Sequence, residues 1–338
     1  QHLPWMLGLK LNEEPRLVRG FLFGSNMPYD LENRLVIGLA SSALFNLEES
    51  DDVFRLQGEE SYRNYQRKNQ NTPLPHGVAF SFIRRLLSLN KLNPSDPPVE
   101  VILLSRNDPD TGLRVMKSIE FHNLSMTRAV FLQGQSPQSY IPALHISLFL
   151  SANELDVKQA MNAGYPAGQV LKTLVYDDPD DNELRIALDF DGVLADDEAE
   201  AIYQRTKDLT DFHHHESNRV NTPHNPGPLA EFLKKISKIQ KMEQARKSSD
   251  PTYAPILDIS IVTARNAPSH ERVINTMRAW DIMVNKAFFL GGIEKKSVLE
   301  VLKPHIFFDD QRLHLDPAAS VLPSVHIPFG AVNKHKQT

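Results

Sequence analysis

Residues 184–197 read LRIALDFDGVLADD, and this stretch decides the fold. An apolar run from Leu184 to Leu188 leads into two acids, Asp189 and Asp191, and then into Gly192. In a strand, residues i and i+2 share one face, so both carboxylates point the same way. At the C-terminal end of a strand in an open parallel sheet, that face borders the crevice where ligands bind. Two carboxylates so placed repel each other and push one pKa up unless a cation sits between them. A hard, oxygen-seeking ion such as Mg²⁺ resolves the conflict, keeping several waters and a substrate phosphate as its other ligands.

Other strand ends bring complementary groups. ILDISIVTAR carries Thr263, a hydroxyl suited to a phosphoryl oxygen, and PHIFFDDQ ends in Asp309 and Asp310. Lys295 follows FLGGIE and offers a positive charge at the start of a helix, KSVLEVLK. Each piece alone is ordinary: DxD pairs cap turns, a threonine after a strand caps a helix, and paired aspartates are usually solvated. Together, in order and each at a strand end, they are the parts for phosphoryl transfer through an aspartyl-phosphate.

Around this centre, β-rich runs (LVIGLA, VEVILLS, AVFLQG, SLFLSA) alternate with amphipathic stretches such as FSFIRRLLSLN. That rhythm implies parallel strands with right-handed crossovers, an α/β doubly wound sheet. Residues 1–34, rich in Pro, Gly and Asn, read as an extension. Residues 35–170 form a first lobe, 171–183 an acidic, turn-prone linker, 184–330 a second lobe, and 331–338 a tail. The second lobe repeats the first. IGLASSALF (37–45) lies against IALDFDGVL (186–194), HGVAFSFIRRLLSLN against PGPLAEFLKKISKIQ, and 101–152 against 259–310 without a gap. Where the second copy has Asp189, Asp191, Thr263, Lys295, Asp309 and Asp310, the first has Ala40, Ser42, Ser105, Pro137, Ser151 and Ala152. Only the second copy carries the acids and the lysine, so only it is expected to be reactive.

The 338 residues, roughly twice an ordinary domain, allow two cores. A formal charge of −5 argues against a sequence-independent nucleic-acid binder, and no apolar run is long enough to span a bilayer. Zero cysteines exclude disulfides, thiolate metal sites and cysteine nucleophiles, and fit a reducing compartment. The chain begins at Gln1, which suggests a trimmed start, and its opening lacks the layout of a secretory signal; a cytoplasmic location is expected.

DFDGV, IVTAR, the lysine of GGIEKK and FFDD resemble the four signature motifs of the haloacid dehalogenase (HAD) superfamily. More narrowly, LADDEAE, VTARNAPS, FFLGG and KPHIFFDDQ resemble the cytosolic 5′-nucleotidase type I family, as do IGLASSALF and HISLFLSANELDVKQAMNAG in the first half. DFDGV departs from the DGDAV order of animal members but keeps the spacing of the acids. The resemblance, over about 35–330, implies a HAD-like catalytic lobe with a small cap insertion at about 196–257, preceded by a degenerate HAD-like repeat. It implies Mg²⁺-dependent hydrolysis of nucleoside 5′-monophosphates such as AMP and related (deoxy)nucleotides. By resemblance Asp189 is the nucleophile, and Asp191 the general acid and then the base. Thr263, with Ala264 beside it, and Lys295 bind the phosphoryl group; Asp189, the carbonyl of Asp191 and one of Asp309 and Asp310 hold the metal. Two readings of the first lobe stand: it merely completes the active cleft and the fold, or, as the family's response to ADP implies, an ADP-type effector binds near Ser42, Ser105 and Asn107 or between the lobes; a homo-oligomer is allowed.

In the expected cap, DFHHHES places His213, His214 and His215 in a solvated loop, with Phe212 and Tyr203 as candidate base-stacking partners; Trp280 is expected in the core. Two other readings compete. One is a phosphatase or phosphotransferase on another small phosphomonoester, the other a nucleotide-binding regulator with little turnover.

Overall fold

Alternate burial of apolar side chains decides how each strand is used. In β1 (Leu35–Leu39) every residue is buried, with Leu35, Ile37 and Leu39 in one core and Val36 in another. A strand hidden on both faces belongs to a parallel layer covered by helices. β6 (Leu184–Leu188) is buried except for the half-buried Arg185, placing Ile186 and Leu188 in the first core and Ala187 in a third. The computed structural model describes residues 29–173 and 177–334, so most of the expected extension and the last tail residues lie outside it.

The first half continues with α1 (Ser41–Leu44), α2 (Glu48–Lys68), α3 (Phe80–Ser88), β2 (Val99–Ser105), α4 (Leu113–Phe121), β3 (Arg128–Phe131), α5 (Tyr140–Ala143), β4 (Leu148–Ser151), α6 (Glu154–Asn162) and β5 (Ala167–Val170). After β6 come α7 (Glu198–Thr206), α8 (Leu209–Asn218), α9 (Ala230–Ser249), β7 (Leu257–Thr263), α10 (His270–Ala279), β8 (Lys286–Phe289), α11 (Lys295–Leu302), β9 (Ile306–Asp309), α12 (Arg312–Ala319), β10 (Ser324–His326) and α13 (Ala331–Lys334).

Sequence leaves open whether the lobes share a sheet. They do: ten strands run β3-β2-β1-β4-β5-β10-β9-β6-β7-β8. Neighbours within each half are parallel. Among the described residues, only the strands β5 and β10 pair antiparallel, with Val170 opposite Val325 and Gln169 opposite His326. Each half therefore has the same strand order read inward to the junction, and the strands of the two halves run in opposite directions. One core extends under both halves, joining Phe82 of α3 to Phe308 of β9, while the other face splits into two smaller cores.

Backbone detail follows the correspondence between the halves closely. Gly77 N donates to Leu44 O, and Gly227 N to Leu194 O. A Cβ on either glycine would lie within 3 Å of backbone, so both turns require glycine. Left-handed residues recur as Asn123 and Asp281, and as His145 and Lys303. The buried Arg114 donates from Nε to Thr72 O at 3.0 Å, and Arg272 to Thr222 O at 2.9 Å. One adjustment to the alignment emerges. Ala40 N donates to Leu150 O as Asp189 N does to Phe308 O, yet past Asp191 the matching bonds lie one residue further along the second copy. The second copy therefore has one extra residue in its first turn.

The stretch expected as a cap, 196–257, divides in two. α9 buries Phe232, Leu233, Ile236 and Ile239 in the shared core, so it covers the sheet as α3 does in the first half. The insert proper is the helix pair α7–α8, the counterpart of α2, which is itself kinked at Gly58. DFHHHES is not a loop: it lies within α8, with His214 exposed and His213 and His215 half-buried. Trp280 packs partly buried against the core. The expected linker is tied down, since the buried Arg85 donates to Asp178 O and Asp181 O at 2.9 Å each.

Candidate active site

β6 and β9 are neighbours, with Leu188 opposite Phe308, and the chain leaves β6 toward β7 on one side and returns to β9 on the other. The crevice at such a reversal of strand order is where an open α/β sheet binds ligands. Asp189 follows β6, Asp309 ends β9, Asp310 comes next, and Lys295 opens α11. Lys295 Nζ reaches Asp189 Oδ2 at 2.8 Å and Asp309 Oδ2 at 2.7 Å, and all three side chains are buried. Two left-handed glycines, Gly291 and Gly292, turn the chain before the lysine so that it enters this centre.

Asp309 is held on every side. It accepts from Gln311 N at 2.8 Å and lies 3.2 Å from His314 Nδ1 as well as against Lys295. Asp310 differs: its Oδ1 is buried without a hydrogen-bond partner. Its backbone carbonyl accepts from Asn333 Nδ2 at 2.9 Å and from His326 Nε2 at 3.1 Å, so part of the expected tail braces the site. Gly192 has φ +70°, and a Cβ there would sit 2.6 Å from Asp310 Oδ2. The extra residue of the second copy falls in this turn.

Charge is unbalanced at the centre. Three buried carboxylates, Asp189, Asp309 and Asp310, share one ammonium. Burial pushes Asp189 up to about 7 despite Lys295. It also raises Asp310 well above the usual carboxylate range, with Asp309 and Asp189 adding to the effect. Burial works against ionisation of Asp309 too, but Lys295 and His314 hold it below its ordinary value. A dry site with surplus negative charge and an orphaned carboxylate oxygen fits a divalent cation. Asp196, Glu198 and His224 also approach within 4.8 Å of one another. Glu198, however, already pairs with Arg219 and Arg272, so an ion there would face two guanidinium groups.

Thr263 is buried at the end of β7, where its Oγ1 accepts from Arg265 N at 3.2 Å; Ala264 is exposed. Asp191 is bound by Arg265, a residue that reading the motif for its threonine passes over. Glu216, hidden in the histidine run, was equally unmarked. Phe212, a candidate base stacker, instead lies under the Arg265 guanidinium, 5.2 Å from ring centre to Cζ, and Lys207 Nζ lies 5.8 Å from the Tyr203 ring. In the first half, Ser42 Oγ accepts from Ala152 N, Ser105 Oγ pairs with Ser41 Oγ, and Asn107 accepts from Tyr62. The groups offered there for an effector thus already have partners within the protein.

Comparison with known proteins gives the family. The family model described as 5′-nucleotidase matches residues 27–334. Human cytosolic 5′-nucleotidase 1B is 31% identical over 296 residues, which cover 85% of this chain and 47% of that protein. The chain thus spans about half the length of that curated relative. Among solved structures, histidinol dehydrogenase from Elizabethkingia anophelis aligns at 10% identity over 91% of this chain and 59% of its own, with a TM-score of 0.21, too low to carry any argument. No described helix is long and apolar enough to cross a membrane. With the match running through both halves of the sheet and all the strand ends that build the buried centre, the chain belongs to the 5′-nucleotidase family.

Proposed function

We propose that this chain hydrolyses nucleoside 5′-monophosphates, AMP and related (deoxy)nucleotides among them, through an aspartyl-phosphate on Asp189. The observation that carries the reading is the buried meeting of Asp189, Lys295 and Asp309 beside the orphaned oxygen of Asp310, in a chain of this family. Asp189, the carbonyl of Asp191 and Asp310 would hold Mg²⁺, while Asp309 stays engaged with Lys295. When bound, the ion supplies positive charge to the phosphoryl oxygens.

A carboxylate oxygen of Asp189 attacks phosphorus, and the bond to the ribose 5′-oxygen breaks as Asp191 gives that oxygen a proton. Lys295, fixed against the nucleophile, neutralises charge on the transferring group, and the Thr263 hydroxyl donates to a non-bridging oxygen. A water then loses its proton to Asp191 and attacks the same phosphorus, freeing Asp189 and inorganic phosphate. α7 and α8 stand over the catalytic turn as the segment that limits water access.

The test is phosphate release from AMP, dIMP, GMP, CMP and a panel of sugar phosphates, with and without Mg²⁺. Turnover restricted to nucleotides and dependent on the ion supports the reading. Preference for sugar phosphates, transfer to an added nucleoside, or binding without turnover would each replace it with a competing function.

A further inference from the structure

The expected proton donor is held fast. Arg265 Nε donates to Asp191 Oδ2 at 2.6 Å and Nη2 to Oδ1 at 2.6 Å, engaging both oxygens. Arg265 is itself buried, with its guanidinium carbon 5.4 Å from the Phe190 ring centre and 5.2 Å from that of Phe212. Its remaining nitrogen, Nη1, donates to the Glu216 carboxylate of α8. Glu216 is also buried, accepts from Arg272 Nη1 at 2.8 Å and lies 3.2 Å from His224 Nε2. One guanidinium thus bridges the catalytic turn and the inserted helix pair. The first half has Asn107 and Gln66 at the matching positions and so has no such bridge.

We propose that Arg265 is a positioning residue for the reaction, placing the carboxyl of Asp191 and tying that placement to α7–α8 through Glu216. This rests on the roles given above to Asp189 and Asp191. The two Arg265 bonds take one lone-pair site on each Asp191 oxygen and leave the other, so the carboxyl meets a departing oxygen in the orientation that Arg265 gives it. Arg265 stays in place, because two aromatic rings and Glu216 hold it independently. Proton delivery to the leaving group therefore depends on the helix pair, whereas attack by Asp189 does not.

The experiment compares two substrates that differ in the bridging atom: a nucleoside 5′-monophosphate and its analogue with sulfur between phosphorus and C5′. An alkoxide must be protonated as it leaves, whereas a thiolate leaves without a proton. Kinetics with Mg²⁺ would be measured for wild type, Arg265→Met, Arg265→Lys, Glu216→Gln and, as reference, Asp191→Asn. The expected result is a loss of kcat on the oxygen substrate of about 10²-fold in Arg265→Met, the scale of a general-acid contribution, with much less loss on the sulfur substrate. Arg265→Lys and Glu216→Gln should fall between, skewed the same way as Asp191→Asn. Equal losses on both substrates, or no loss on the oxygen substrate, would overturn the proposal. Should Arg265→Met fail to fold, Arg265→Lys and Glu216→Gln decide by the same ratio. Wild type that releases no phosphate from the oxygen substrate, or Asp189→Asn that still does, would instead remove the underlying reading of the site.

Discussion

The two halves of the sheet share strand order, turn geometry and a buried arginine, yet their carboxyl edges are chemically opposite. Arg114 meets Gln66 in the first half at 3.3 Å; Arg272 meets Glu216 in the second at 2.8 Å. At the first edge short polar side chains close on one another, Ser41 with Ser105 and Asn107 with Tyr62. At the second, four aspartates, a lysine and an arginine crowd together, all of them buried except the half-buried Asp191. The same scaffold thus tolerates two extremes of electrostatics, because the core beneath both edges is equally apolar and continuous. What distinguishes them is a handful of side chains and one extra residue in the turn that contains Gly192.

That contrast can be broken most severely at the proposed nucleophile. Asp189→Asn gives the second edge a neutral residue where the first has Ala40, and should lower kcat by at least about 10⁴-fold. Circular dichroism would check that the fold survives while phosphate release is followed. Asp310→Asn comes next. It should abolish the rise in Tm that Mg²⁺ gives wild type, a rise equivalent to about 2.7 kcal/mol at an ion concentration a hundred times its Kd. Scanning calorimetry with and without the ion reads this directly.

Glu216→Gln remakes the first half's arrangement inside the second. It leaves Arg265 and Arg272 without their buried anion, and the expected cost at pH 7 is about 3 kcal/mol by urea denaturation. Burial opposes ionisation of Glu216, but His224 and Arg265 hold its pKa at about 2, below the ordinary value of 4.5. A depressed acid contributes stability that is complete above its unfolded pKa and lost as pH falls through its folded pKa. The gap between wild type and Glu216→Gln should therefore stay constant down to about pH 5 and close toward pH 2. A gap that widened on acidification would contradict the assignment. Smallest of all, the double change Ser42→Ala and Ser105→Ala should leave kcat within about twofold and cost only about 1 kcal/mol, since each hydroxyl bonds within its own edge.

Much of this architecture is legible in the chain. The near-continuous apolar runs LVIGL and LRIAL announce strands covered on both faces, and glycine after a DxD pair announces the turn. The acids and the lysine read as one centre because strand ends of a parallel sheet must share an edge. Arg265 escapes that reading, for its significance lies in a partner, Glu216, forty-nine residues earlier on an inserted helix. The histidine run misleads for a related reason: its polarity suggests a loop, whereas its spacing and the Asp208 N-cap serve a helix.

The sequence by itself determined the strand–helix rhythm and which half carries the acids and the lysine, because local periodicity and residue chemistry are written in order along it. Only the tertiary structure decided that the halves join antiparallel in a single sheet, their strands running in opposite directions. Only it decided, too, that Asp309 is engaged by Lys295 while Asp310 keeps an oxygen free, and that an arginine grips Asp191. Those outcomes depend on which distant groups meet in a low-dielectric interior, where a contact of under 3 Å settles which charge is satisfied and which is left exposed to a ligand.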